Sequence, residues 1–216
     1  MTHALLRASY HHGNLRQALI DAGLAVTRNG GPSARSLRDL ARRLGVSPNA
    51  VYRHFADRDN LLATIKLRIQ QDIAARMLAL TDHQPAGVGP ARAQLRAVGL
   101  GYVDFALAEP GWFEVAFTDT DTDTDTDTVG GSPPAPLARL TAALDALVES
   151  GELATQRRPG AEWPCWSAVH GFAMLALTGP LRDRSPAELR AAAERTVDVV
   201  IDGLLAPPVG AESRQA

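Results

Sequence analysis

The residues best suited to chemistry lie close together in residues 36–55, which read SLRDLARRLGVSPNAVYRHF. Asparagine and arginine side chains hydrogen-bond the edges of nucleic-acid bases, and this stretch supplies Asn49 and Arg53. Tyr52 and His54 carry groups that can donate hydrogen bonds to phosphate oxygens. This combination of side chains indicates that the stretch contacts a nucleic acid.

The same stretch predicts two short helices joined by a turn at Gly45. The first helix begins near Ser36 and places Arg38 on its outer face. The second begins at Ser47, whose side chain can cap free backbone amides, and Pro48 follows at the first helical position, where an N–H is not needed. Two helices that meet at a short turn containing glycine form a helix-turn-helix.

Helical spacing also predicts which side of the second helix faces outward. Apolar residues at Val46, Val51 and Phe55 are expected to pack it against the first helix. This leaves outward the residues that could meet DNA, namely Pro48, Asn49, Tyr52 and Arg53. The alternative is an ordinary helix pair whose arginines are simply solvated.

The distribution of charge favours the nucleic-acid interpretation. The chain of 216 residues has a formal net charge of −2. Residues 1–60 hold nine arginines against four aspartates, a net charge of +5, so the remainder carries −7. A basic segment on a near-neutral chain raises the expectation of a polyanionic partner.

Other residues with catalytic potential do not form a convincing site. Cys165 is the only cysteine, which excludes an intramolecular disulfide and favours a reducing compartment. It lies about 140° around a helix from His170, too far for a Cys/His dyad. Ser167 and His170 share a helix face but lack a matching acid and oxyanion donors. We therefore predict no catalytic residues.

Metal and cofactor sites are not predicted either. His11 and His12 are adjacent, so on a helix their side chains diverge, and no further ligand is in register with them. Residues 119–128 are a fivefold Asp-Thr repeat without the glycine turn and spaced acid of a calcium loop. We expect this repeat to lie in a disordered acidic loop over residues 118–136.

Apolar residues recur at helical spacing along most of the chain and predict an all-α fold. The expected helices cover residues 14–28, 36–44, 47–55, 57–77, 91–108, 111–117, 137–150, 163–177 and 186–205. The predicted organisation is a DNA-binding domain in residues 1–60, a linking helix in 61–80, a larger domain in 81–206 and a flexible tail in 207–216.

The sequence of residues 45–62, GVSPNAVYRHFADRDNLL, resembles the hallmark segment of the TetR family of transcriptional regulators. The resemblance implies a three-helix DNA-binding domain followed by a larger ligand-binding and dimerising domain. Carried over by position, it implies that Ser47, Asn49, Tyr52 and His54 touch DNA. Arg58 stands where the family often has a phosphate-binding lysine, and it keeps the positive charge.

The downstream half contains most of the large aromatic side chains and is similar to the subgroup named for a Trp-His-Gly signature, here Trp166 and His170-Gly171. The resemblance implies a ligand pocket in this half. An aromatic and apolar wall with a few polar groups is typical of such pockets, although an ordinary core is the alternative. The candidate lining residues are Phe105, Trp112, Phe113, Trp166, His170 and Met174.

The last two predicted helices are candidates for a dimer interface, an expectation that rests mainly on the resemblance. An apolar stripe on the final helix could face a second copy, or it could face its own core. The members of this stripe are Leu189, Ala193, Val197, Val200, Ile201 and Leu204.

Taken together, the sequence predicts a ligand-responsive regulator, with a repressor favoured, that binds a palindromic DNA operator as a homodimer. A hydrophobic small molecule is expected to release it. The alternative is a small-molecule binder or enzyme whose amino-terminal helices are only structural. No signal peptide or membrane span is predicted, which favours a cytoplasmic location.

Overall fold

A computed structural model describes residues 15–30, 37–79, 88–117 and 133–206 of the chain. These residues form nine α-helices and one 3₁₀ turn, with no strand among them, which confirms the all-α prediction. In chain order the helices are α1 Leu15–Gly30, α2 Leu37–Leu44, α3 Pro48–Tyr52, α4 Arg58–Ala79, α5 Pro90–Ala108, α6 Pro110–Ala116, α7 Ala135–Glu149, α8 Glu162–Leu177 and α9 Pro186–Leu205. The 3₁₀ turn, Thr155–Arg157, precedes α8.

Local signals account for where several helices begin. Proline occupies the first turn of α3, α5, α6 and α9, where its missing N–H leaves no hydrogen bond unmade. Ser185 and Glu188 form a reciprocal capping box at the start of α9. Gly45 has a φ of 65°, a left-handed conformation that favours glycine, and it ends α2.

The first three helices pack around one small core. Leu19 of α1, Leu40 of α2 and Val51 of α3 are all buried there. Phe55, just beyond α3, and Ile65 of α4 complete it. The amino-terminal unit is therefore not a separate globule, because its core continues into α4.

The long helix α4 joins the two halves of the molecule. It packs against α1 at one end and against α5, α6 and α7 further along. Gly101 of α5 allows the close crossing, since a Cβ atom there would lie 2.6 Å from Cα of Met77 on α4. A single cluster of buried side chains therefore extends from α1 to α9.

Helices α5 and α9 run antiparallel and are joined by regularly spaced ion pairs. Arg92 pairs with Asp202, and the Nε atom of Arg96 lies 2.7 Å from Oδ1 of Asp198. At the other end the charges are reversed, with Arg190 of α9 3.5 Å from Asp104 of α5. These pairs fix the register of the two helices.

The structure bears on two expectations. Of the two alternatives for the stripe on α9, it favours packing against the chain's own core, because Ala193, Val197 and Ile201 are buried within the single chain. Helix α7 begins at Ala135, so it includes the last two residues of the loop predicted over 118–136. The Asp-Thr repeat, the adjacent pair His11 and His12, and the tail all lie outside the described residues.

No described helix is long and apolar enough to cross a membrane. Within the same part of the chain, no group of three or more histidine, cysteine or carboxylate side chains is arranged to hold a metal ion.

Candidate functional site

The start of α3 is fixed by the hydrogen bond expected from the sequence. The Oγ atom of Ser47 accepts from the backbone N–H of Ala50 at 3.3 Å, and Pro48 is the first helical residue. Val46, in the turn before it, donates its N–H to the carbonyl of Ala41 at 3.0 Å. α2 and α3 thus form a helix-turn-helix in which the beginning of α3 is capped by a side chain and the preceding turn is bonded to α2.

The two sides of α3 differ sharply in exposure. Val51 is fully buried, and Phe55 is 1% exposed. Tyr52 is 46% exposed, so Phe55 joins the core and Tyr52 does not, as the helical spacing predicts. The polar candidates Asn49 and Arg53 are exposed. Pro48 and His54 are exposed as well, so the predicted DNA-facing set of α3 forms one accessible surface.

Positive charge surrounds this surface. Arg38, Arg42 and Arg43 are all exposed on α2, and Arg42 pairs with Asp39 at 2.7 Å. Asp57 caps α4 by accepting the N–H of Asn60 at 2.7 Å, which places Arg58 at the first position of that helix. Phosphate contacts require such accessible cations near the helix that meets DNA.

A small cavity of about 30 Å³ lies in the carboxy-terminal half between α4, α5, α7, α8 and α9. Its thirteen lining residues are nearly all apolar. The aliphatic side chains among them are Met77, Leu95, Val98, Leu140, Ala168, Val169, Val197, Val200 and Ile201. A drug-sized ligand occupies roughly ten times this volume, so the cavity is closed to such molecules in this conformation.

Tyr102 connects this cavity to a cluster of aromatic rings. It lines the cavity and is 1% exposed, with its ring centroid 5.4 Å from Trp166 and 5.6 Å from Phe113. Its hydroxyl lies 2.9 Å from Nδ1 of His170. Phe117 completes the cluster, 5.0 Å from the rings of both Phe113 and His170.

Burial sets the protonation of the ionisable groups in this region. It lowers the pKa of His170 below its ordinary value of 6.5, which keeps the ring neutral near pH 7. It raises the pKa of the Tyr102 hydroxyl, and it raises that of the Cys165 thiol to about 11. Cys165 is therefore held as an unreactive thiol, because the thiolate is the nucleophilic form.

The predicted ligand residues do not form one wall. Trp166 lines the cavity, while Phe113 and His170 belong to the adjoining aromatic cluster. Phe105 is buried in the core, and Met174 is exposed on α8. Trp112 points toward α1 instead, donating its indole N–H to the carbonyl of Leu24 at 2.8 Å.

Two features of this region were missed by sequence reasoning. Tyr102 was not singled out, although it joins the cavity to the aromatic cluster. Most of the cavity wall is aliphatic and comes from five helices, so only the general helical periodicity marked those positions.

Comparison with known proteins places both halves of the chain. Residues 19–65 match the family model described as "Bacterial regulatory proteins, tetR family", and residues 95–200 match "Tetracyclin repressor-like, C-terminal domain". The chain belongs to the TetR family. The first match contains the helix-turn-helix, and the second contains most of the cavity wall, so the TetR resemblance of the sequence is confirmed. The Trp-His-Gly subgroup stays a prediction.

Individual TetR relatives are similar at modest identity. The HTH-type transcriptional regulator BetI of Serratia proteamaculans is 36% identical over 93 residues, which is 41% of this chain and 44% of BetI. The chain thus matches less than half the length of that relative. The uncharacterized HTH-type transcriptional regulator Rv0681 of Mycobacterium tuberculosis is 27% identical over 172 residues, 78% of this chain and 72% of the relative.

Solved structures share the fold. A protein of unknown function from Rhodococcus sp. RHA1 superposes with a TM-score of 0.67 at 24% identity, covering 91% of this chain and 98% of that one. A TetR-family transcriptional regulator from Pectobacterium atrosepticum superposes with a TM-score of 0.61 at 21% identity, covering 89% of this chain and 95% of that one. The TetR family consists of transcriptional regulators and not of enzymes, in agreement with the prediction of a non-enzymatic protein.

Proposed function

We propose that this TetR-family chain is a homodimeric, ligand-responsive regulator that binds a palindromic DNA operator and is released from it by a small molecule. The observation that carries the proposal is the accessible polar surface of α3, held by the Ser47 cap and surrounded by exposed arginines. Such a regulator, acting as a repressor, works in the cytoplasm, where its operator lies.

The exposed residues have distinct proposed roles in DNA binding. Asn49 and Arg53 can hydrogen-bond base edges in the major groove. Ser47, Tyr52 and His54 supply groups for the phosphate backbone. Pro48, exposed at the first position of α3, is proposed to contact the DNA backbone. Two further cations, Arg38 and Arg58, supply charge to phosphates on either side of α3.

The proposed dimer interface lies on α8 and α9, but on a different face from the stripe expected from the sequence. Large apolar side chains are exposed there in the single chain, with Trp163 at 59%, Met174 at 43% and Val199 at 69%. Leu175 adds a fourth. Exposed apolar groups that recur along one pair of helices support an interface with a second copy.

Release of DNA is proposed to act through α4. This helix contributes Met77 to the cavity wall, and its other end places Arg58 beside the helix-turn-helix. Because the cavity is smaller than a ligand, binding requires the wall to move, and α4 is part of that wall. A ligand that prefers the enlarged cavity would shift the population toward dimers whose α3 helices no longer match successive major grooves.

A gel shift with the full chain tests the proposal. We expect tight binding to the DNA upstream of its own gene and much weaker binding to random duplex of equal length, with affinity falling steeply as salt increases. Equal affinity for the two duplexes at every salt concentration would contradict the proposal. It would favour the alternative, a small-molecule binder or enzyme whose amino-terminal helices are structural.

A further inference from the structure

The wall of the carboxy-terminal cavity contains no charged side chain among the residues that the structure describes. Its side-chain heteroatoms belong to Tyr102, Trp166, Cys165 and the thioether of Met77. The cysteine is a protonated thiol, for the reason given above. A charged ligand placed here would therefore lose its hydration without gaining an opposite charge, which is costly in an apolar interior.

Charged residues that flank the cavity on α5, α8 and α9 are engaged in ion pairs. Arg96 and Asp198 pair across α5 and α9, and each directly follows a cavity-lining residue, Leu95 and Val197 respectively. Glu162, close to Cys165 in α8, lies 3.0 Å from Arg158. Turning any of these side chains toward the cavity would break its ion pair. The charge of that side chain would then be buried without an opposite charge beside it.

The aromatic rings do not provide a cage for an organic cation. Such a cation binds over the open face of a ring. Phe113 contacts Tyr102 in an edge-to-face arrangement, with an angle of 82° between the rings, and Trp166 also packs against Tyr102. Because Tyr102 is 1% exposed, its faces are covered by these neighbours.

The tyrosine of the wall already has a partner. The Tyr102 hydroxyl hydrogen-bonds Nδ1 of His170, a residue that is not among those lining the cavity. Both partners are uncharged near pH 7. The surface that the cavity offers a ligand is therefore almost entirely apolar.

We infer that the effector of this regulator is an uncharged, predominantly apolar molecule that binds against this wall. The inference rests on the proposed function only in calling the ligand an effector. Binding in the cavity is a property of the chain and can be measured without DNA.

Probes of similar size that differ in charge test the inference. Two neutral probes, benzyl alcohol and 1-hexanol, are compared with analogues that are cationic at pH 7.5, benzylamine and hexylamine, and with analogues that are anionic, benzoate and hexanoate. Titration calorimetry on the full chain at pH 7.5 measures each dissociation constant. We expect each neutral probe to bind at least about tenfold more tightly than either of its ions.

Two variants locate the binding. Val200→Thr keeps the shape of a cavity-lining side chain but adds a hydroxyl, and it should weaken the neutral probes by about fivefold. Val148→Thr makes the same change at a half-buried valine of α7 that does not line the cavity, and it should leave their affinities unchanged. Equal effects of the two variants would contradict binding in this cavity.

The outcomes separate this inference from the proposed function. Preferential binding of an ion, or no binding of either neutral probe, would overturn the inference while operator binding in a gel shift remained intact. Selective binding of the neutral probes by a chain that does not prefer its upstream DNA would instead contradict the proposed function and support the inference.

Discussion

Tyr52 and Phe55 are close in sequence, yet one ring is exposed and the other is buried. Val51 and Phe55 are four residues apart and share the side that faces the core, and the N–H of Phe55 donates to the carbonyl of Val51 at 3.1 Å. The guanidinium of Arg16 lies 5.3 Å above the Phe55 ring and covers its outer side. Tyr52 is therefore free to meet a phosphate while Phe55 holds α3 in place.

Single substitutions should distinguish base contacts from phosphate contacts. Arg58→Ala and Tyr52→Phe should weaken binding to all sequences alike, and Arg58→Ala should also reduce the slope of affinity against salt by about one ion. Asn49→Ala should reduce the free energy of binding to the preferred operator by about 1–3 kcal/mol. It should also make the protein less selective for the base at one position of that operator. Gel shifts at several salt concentrations measure all three.

A matched control for this series is Arg184→Ala, which removes an exposed arginine far from α3 along the chain. Among the contacts described, the side chain of Arg184 pairs only with Glu188. It should leave affinity and salt slope unchanged. Wild-type affinity in all three variants of the DNA-facing set would contradict the assigned roles.

The half-buried His170 should make folding stability depend on pH. Burial lowers its pKa in the folded chain below the ordinary value of 6.5 that it regains on unfolding. The unfolded chain therefore binds more protons as the pH falls below about 7, and stability should fall through the folded pKa and then level off. For one such proton, the free energy of unfolding changes by at most about 1.4 kcal/mol per pH unit.

Urea denaturation between pH 7.5 and 5.5 checks this expectation. His170→Gln should remove that part of the pH dependence, whereas His54→Gln, at the exposed histidine beside α3, should retain it. An unchanged slope in His170→Gln would show that other groups cause the dependence.

At the scale of helices, the short α6 connects the aromatic cluster to the amino-terminal unit. Trp112 donates to the carbonyl of Leu24, while Glu109 pairs with Arg28, whose guanidinium also lies 5.1 Å above the Trp112 ring. At the other end, the buried Gln70 of α4 donates to the carbonyl of Ala116 at 3.3 Å. Helix α6 is thus held by both α1 and α4.

The sequence predicted the limits of α6 to within a residue but none of these partners. Pro110 marks its start locally, and such signals act within a turn of helix. Trp112 and Leu24 are 88 positions apart, so their hydrogen bond depends on how the whole chain folds. For the same reason Trp112 and Met174 were candidates for the pocket by residue type, although the fold places them elsewhere.

Gly111 should be intolerant of any side chain. A Cβ atom at this position would lie 2.3 Å from the carbonyl oxygen of Arg28 and 2.8 Å from that of Thr27. Gly111→Ala must therefore push α6 away from α1, and we expect a loss of about 1–3 kcal/mol in the free energy of unfolding, measured by urea denaturation.

The control is Gly203→Ala in α9, where an added Cβ meets no atom within 4 Å. Because alanine is a better helix former, this variant should be neutral or more stable by about 0.5–1 kcal/mol. A Gly111→Ala chain as stable as Gly203→Ala would show that α6 and α1 separate without cost.

At the scale of the whole molecule, the described core extends from the helix-turn-helix to α9 without a break, while apolar groups remain exposed on α8 and α9. The ion pairs between α5 and α9 hold α9 in register and leave its outer face available. The sequence predicted a dimer interface on the last two helices, and this stays a prediction. It left open what the apolar stripe of α9 packs against, because a stripe of apolar residues predicts burial without identifying the partner surface.

A charge on that outer face should separate the proposed dimer. Leu175 is 46% exposed on α8, and in a symmetric interface Leu175→Asp would bury a carboxylate from each copy in apolar surroundings. We expect the dimer dissociation constant to rise by at least about 100-fold, so that light scattering gives the 23.0 kDa of one chain in place of twice that mass. Leu67→Asp, at a leucine of α4 that is 38% exposed, is the matched control and should stay dimeric.

The monomeric Leu175→Asp variant should also lose most of its operator affinity, because only one α3 helix at a time then contacts the palindrome. A dimeric Leu175→Asp protein would move the interface away from α8.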